Sequence, residues 1–188
     1  MADLRLFIAV ELPEEVRRLL AAVERDLRQA DADVSWSRPE NMHLTLKFLG
    51  DTPEDFVGEI AAALDAAAAA CPRHAATLGG VGAFPTVRRP RVVWVGLDEP
   101  TGRLAELQKA VDDVTADLVP PDPRGFTPHL TLGRVRSQRN AERLAGLVDG
   151  YRLTSAAAVP VNEIVLIRSE LARSGPTYTP LHRSPLRE

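Results

Sequence analysis

The chain is short of cysteine, of long apolar runs and of excess positive charge, and each shortage removes a class of protein. Cys71 is the only cysteine in 188 residues, so no disulfide can close within the chain and no cysteine-based metal site can be built. A reducing cytoplasm is the compartment expected for such a chain. The N-terminal apolar run, Leu6 to Val10, stops at Glu11, well short of a signal-peptide core or a membrane span. The alanine-rich stretch from Ile60 to Cys71 is interrupted by Asp65 and flanked by Glu59 and Pro72, and it reads as a packed helix. A net charge of −3 and a pI near 5.9 exclude the broad basic field that coats long nucleic acid, so a nucleic acid would have to be held locally, by an end. Neither G-x-x-x-x-G-K-[ST] nor H-E-x-x-H occurs. That leaves no visible nucleotide cradle or metal helix, and neither cofactor nor metal is expected.

What the chain does have is an internal repeat. His-Leu-Thr-Leu stands at residues 43–46 and again at 129–132, 86 residues on. The same offset carries the β-type run Arg5 to Ala9 onto Arg91 to Val95. After each run come helix-start signals and an apolar stripe at helical spacing: Val16, Leu19, Leu20, Val23 and Leu27, then Leu104, Leu107, Val111, Val114 and Leu118. Further helical patterns cover Pro53 to Ala70 and Asn140 to Val148, and closing strands cover Ala75 to Val81 and Val161 to Arg168. A hairpin through Ser174, Gly175 and Pro176 leads to a last strand at Tyr178 to His182. Strand, helix, strand, helix, strand in each half predicts one α+β domain over residues 1–188. Its repeat halves are about 1–86 and 87–188, forming two pseudo-twofold lobes with facing antiparallel sheets, helices outside and a groove between. The glycine- and proline-bearing segment from Gly79 to Pro90, with Arg88 and Arg89, is the expected crossing between lobes.

Side chains alternate along a strand, so His43 and Thr45 share one face, as do His129 and Thr131, while the leucines take the other. Two imidazoles suit phosphodiester chemistry, because a histidine titrating near pH 6.5 can be neutral beside a protonated neighbour at physiological pH. Threonine hydroxyls can donate to phosphate oxygens as charge grows there. A single His-x-Thr is common on half-exposed strands and means little. Two copies at matching points of diverged halves ask for a reason beyond packing.

With these motifs the sequence resembles the 2H phosphoesterase superfamily, and within it the RNA 2′,3′-cyclic phosphodiesterases, also called 2′-5′ RNA ligases or LigT-like proteins. The resemblance rests on Arg5 to Val10 with Pro13, Trp36 to Gly50, Gly82 to Pro85, Arg89 to Trp94, Phe126 to Arg134 and Gly175 to Tyr178, in order along nearly the whole chain. It implies a bilobal hydrolase that opens a terminal 2′,3′-cyclic phosphate to a 2′-phosphomonoester, with reverse 2′-5′ ligation. By motif position His43 is the proton donor and His129 the proton acceptor. The implied partner is an RNA with a 2′,3′-cyclic phosphate end, tRNA fragments among them; no membrane and no protein partner is implied. Where the family often carries a basic residue before the second motif, this chain has Thr127.

Five further residues are candidates for binding. Arg134 matches an arginine common after the second motif, but strict alternation puts it on the leucine face unless Gly133 carries a bulge. Lys47 shares the parity of His43 and is either a phosphate contact or a solvated strand-end lysine. Trp36, Phe126 and Tyr178 are either base-stacking residues or packing. His74 and His182 lie in no motif and read as surface or structural residues. Two other functions fit the same residues: a cyclic phosphodiesterase of small nucleotides, and a non-catalytic binder of RNA ends.

Overall fold

Alternation along the first strand sets the architecture. In the computed structural model, which describes residues 3–153, 155, 157–173 and 175–188, β1 (Asp3–Glu11) sends Leu4, Leu6, Ile8 and Val10 into the main core. Its other face carries Arg5, Phe7, Ala9 and Glu11, of which Phe7 and Ala9 join a second, smaller cluster with Val165 and Ile167. The chain continues as α1 (Glu14–Leu27), β2 (Val34–Trp36), β3 (His43–Pro53), α2 (Val57–Ala70), β4 (His74–Thr86), β5 (Arg89–Asp98), α3 (Arg103–Val114), β6 (His129–Val135), α4 (Ala141–Gly150), β7 (Ala158–Val161), β8 (Glu163–Ala172) and β9 (Gly175–Pro185). The predicted helices are all present. In α1 the expected stripe is buried through Val16, Leu20, Val23 and Leu27, and α3 starts where the Glu99 carboxylate accepts the Leu104 amide, 3.1 Å.

The strands form one curled antiparallel sheet in the order β7-β4-β5-β6-β3-β1-β8-β9, with β2 added beside β6. The two expected lobe sheets are its two wings. They join where β3 meets β6 through the pair Leu44–Leu130. Helices α2 and α3 back the β3-β1-β8-β9 wing, and α4, joined by α1, backs the other. The concave face is left to the groove.

The lobes differ from the sequence halves. Strand β4, from the first half, pairs with β5 and β7, while β8, from the second, pairs with β1 and carries β9 beside it, so the first half gives its last strand, and the second its last two, to the opposite lobe. The segment from Gly79 to Pro90 is correspondingly a hairpin between β4 and β5, and no lobe crossing. Its glycines have a packing cause: a Cβ on Gly82 would overlap the Trp94 ring, so only glycine admits that ring against the strand. The hairpin turn expected around Ser174 joins β8 and β9, with Ser174 itself outside the described residues. Among the described residues no helix is long and apolar enough to cross a membrane.

Candidate active site

Both tetrapeptides lie on the two strands that join the wings. The antiparallel pair Leu44–Leu130 sets the register there. His43 thus lies across from Thr131, and Thr45 across from His129, all on the concave face. The four leucines point the other way and are buried: Leu44, Leu130 and Leu132 at 0% exposure and Leu46 at 4%.

Each histidine is fixed in the same manner. The Nδ1 of His43 lies 2.7 Å from the Asn41 carbonyl, and that of His129 lies 2.7 Å from the Thr127 carbonyl. A carbonyl can only accept, so Nδ1 must carry the proton in both rings, and Nε2 is left to face the groove. Aromatic walls hold the rings. Phe7 stacks on His43 at 4.7 Å and Tyr178 meets it edge-on at 5.3 Å, while Phe84 meets His129 edge-on at 4.9 Å with Trp94 behind it at 6.3 Å. No hydrogen bond within the described residues engages the hydroxyl of Thr45 or Thr131, so both are available to a ligand.

The final leucine of each tetrapeptide sits in a β-bulge. Along β3 the partner of Ile8 is Lys47 and that of Ala9 is Thr45, which leaves Leu46 as an extra residue. Along β6 the partner of Val93 is Gly133 and that of Trp94 is Thr131, which leaves Leu132 extra. A bulge flips the parity of all that follows. Lys47 is therefore turned onto the core side, contrary to its expected place beside His43. Its Nζ lies 2.9 Å from the Asp112 carboxylate and donates to the Val119 carbonyl at 2.6 Å. Arg134 is turned the other way, onto the concave face, exposed and close enough in charge to act on both His129 and Tyr178.

The expected aromatics divide. Tyr178 lines the groove as described. Trp36 packs against the core side with the Arg28 guanidinium 5.4 Å over its ring, and Phe126 lines an outer cleft with Leu97, Leu104 and Pro128. Neither faces the histidines. His182 and His74 are structural, as expected: His182 Nε2 pairs with Asp65 at 2.8 Å, and the Nδ1 of His74 binds the Pro72 carbonyl. Strand patterning alone did not single out Phe7, Phe84 and Trp94 as site walls. Nor did it reveal Phe48, which is 58% exposed and pairs with Phe7 on the concave face.

The family model described as LigT-like phosphoesterase matches residues 10–94 and then 95–178, one copy for each half. The chain belongs to the LigT-like phosphoesterase family. A protein of Methanothermobacter thermautotrophicus named RNA 2′,3′-cyclic phosphodiesterase is 35% identical over 175 residues, 93% of this chain and 95% of that one. A crystal structure from Thermus thermophilus superposes with a TM-score of 0.80 at 30% identity over 97% of this chain and 98% of that one. LigT of Escherichia coli, solved with 3′-AMP, superposes at 0.72 with 28% identity over 99% of both chains.

In this LigT-like phosphoesterase burial pushes both imidazoles below the ordinary histidine value. For His43 the Asn41 carbonyl and the Glu11 carboxylate push back upward, whereas for His129 the Thr127 carbonyl pushes up and the Arg134 charge pushes further down. A bell-shaped profile follows for a pair in which one ring must be neutral and the other charged. In free enzyme the alkaline limb marks loss of the proton from the acid, so its depression should bring the upper limb of kcat/KM below where an ordinary histidine would place it. A bound phosphodiester anion favours imidazolium, so the kcat profile should lie at higher pH than that of kcat/KM. Profiles of both parameters over pH 4 to 9 check this, and a kcat/KM limb well above neutrality would contradict it.

Proposed function

We propose that this protein hydrolyses the 2′,3′-cyclic phosphate at an RNA end to a 2′-phosphomonoester. The observation that carries the reading is the pair of imidazoles on adjoining strands with both Nδ1 atoms tied to carbonyls, which leaves each Nε2 as the nitrogen for a ligand, and a threonine across from each. His129 Nε2 takes a proton from water as the oxygen attacks phosphorus. The bond to the 3′-oxygen breaks, and His43 Nε2–H gives that oxygen its proton. Thr45 and Thr131 donate to the non-bridging oxygens as their charge rises. A 5′-hydroxyl in place of water would give a 2′-5′ linkage by the same geometry. Arg134 and Tyr178 are the groove residues proposed to hold the substrate, and an RNA end, tRNA fragments among them, is the proposed partner in the cytoplasm.

The test is to incubate purified protein, in chelator, with an oligonucleotide ending in a 2′,3′-cyclic phosphate and, separately, with a 2′,3′-cyclic mononucleotide. The expected result is undiminished hydrolysis in chelator, faster on the oligonucleotide, to an end that 3′-phosphate-specific enzymes leave untouched. A 3′-phosphate product would reverse the leaving-group assignment, and binding with no turnover would replace catalysis by end capture.

A further inference from the structure

The two wings are pseudo-symmetric in backbone and unequal in charge. Across from His43 in the strand register stands Glu11, and across from His129 stands Gly96. Beyond each bulge, the first residue returned to the concave face is Phe48 in one wing and Arg134 in the other. At matching positions, then, one histidine has a carboxylate and a neutral ring, the other a glycine and a guanidinium. We propose that Glu11 is a positioning residue that makes His43 the acid of the pair, and that Arg134, in the wing where Gly96 takes the place of that carboxylate, makes His129 the base. This rests on the reaction proposed above and supplies the reason for its order.

The charges facing His43 from each neighbouring element support the assignment. Glu11, on β1, shares Arg183 of β9 with Glu163 of β8: Arg183 lies 2.8 Å from Glu11 and is also paired to Glu163, so two carboxylates meet one guanidinium and a negative charge is left over. Arg17 of α1, Glu40 of the turn before β3, and Tyr178 line the same cavity of about 80 Å³ beside His43. Arg17 and exposed Glu40 are of opposite sign, and Tyr178 is kept neutral because burial raises its phenol. Around His129 the neighbours Phe84 and Trp94 are uncharged, and Arg134 is the cation that bears on it. His43 is the more enclosed of the two rings. Burial alone would make it the worse holder of a proton; the Asn41 carbonyl and then the Glu11 carboxylate oppose that in part, and of the two only the carboxylate lacks a counterpart beside His129.

The test reads the histidines directly, in RNA-free protein, by NMR titration of the imidazole Cε1–H signals. Glu11→Gln should lower the midpoint of His43 and leave that of His129 in place. Glu11→Asp should restore it in part. Arg183→Gln, which frees two carboxylates from their shared cation, should move His43 the opposite way, and Arg134→Gln should raise His129 alone. In steady-state assays Glu11→Gln should lose about three- to tenfold in kcat on the alkaline side of the optimum, with its acid limb and KM unchanged. An unmoved His43 midpoint in Glu11→Gln would overturn the proposal. So would movement of the acid limb instead of the alkaline one, since His43 would then be the base. Titrations that move as expected in a protein without hydrolysis would leave the electrostatic asymmetry standing and sink the proposed reaction instead.

Discussion

Alanine at His43 or at His129 is expected to lower the rate of cyclic phosphate hydrolysis by about 10²- to 10⁴-fold, the usual cost of removing a general acid or base. Each ring contributes its Nε2 to the groove and takes its orientation from one carbonyl, so the alanine variants lose proton transfer while the leucines beside them stay in the core. Far-ultraviolet circular dichroism and thermal melts close to wild type should accompany the loss. The double variant should be hardly worse than either single one, because acid and base serve the same step. Thr45→Ala or Thr131→Ala should cost less, about 1.5 to 3 kcal/mol for a hydrogen bond to a charged partner, or roughly 10- to 150-fold. Near-full activity in either histidine variant would end the two-imidazole mechanism. Threonine variants as damaged as the histidine ones would move the threonines from the phosphate to the framework.

The histidines and threonines were legible because the sequence states them twice. Periodicity also gave the helices, since an apolar stripe at helical spacing suits little but an amphipathic helix, as in α1 and α3. What it missed has a common physical source. Alternation is a rule about ladders without interruptions, and a bulge leaves no mark on composition: nothing in Leu-Lys or Leu-Gly announces that Leu46 and Leu132 are doubled against one partner residue. Two such bulges, one in each motif strand, thus reversed the expected placement of Lys47 and decided that of Arg134. A separate one-residue difference in strand offset hid Glu11. Shifting the first strand by the offset of the tetrapeptides sets Glu11 against Leu97, whereas the actual strand register sets it against Gly96. The exchange of β4 and β8 between lobes was hidden for another reason, since a strand's own pattern names its buried face and says nothing of its neighbour. Trp36 and Phe126 went to packing because each could satisfy its apolar surface on the helix side of the sheet.

Lys47 provides the other large effect, on stability. Its side chain is 6% exposed and that of its partner Asp112 13% exposed, and the lysine ties β3 to the C-terminal turn of α3 and to the Val119 carbonyl in the segment that leads on to His129. Asp112 is also held by the Gln108 amide at 2.6 Å. Removing one partner of a buried pair leaves the other charge without compensation, which typically costs about 3 to 5 kcal/mol, whereas replacing both with apolar groups of similar volume is often neutral or better. Lys47→Met should therefore lower Tm by on the order of 10 °C in a chain of this size. Combining it with Asp112→Leu should return much of that loss. At a temperature where the single variant is folded, its KM for an RNA end should match wild type, because the side chain faces the core. A Lys47→Met protein of unchanged Tm and raised KM would show the opposite, that the lysine reaches the groove and meets the phosphate.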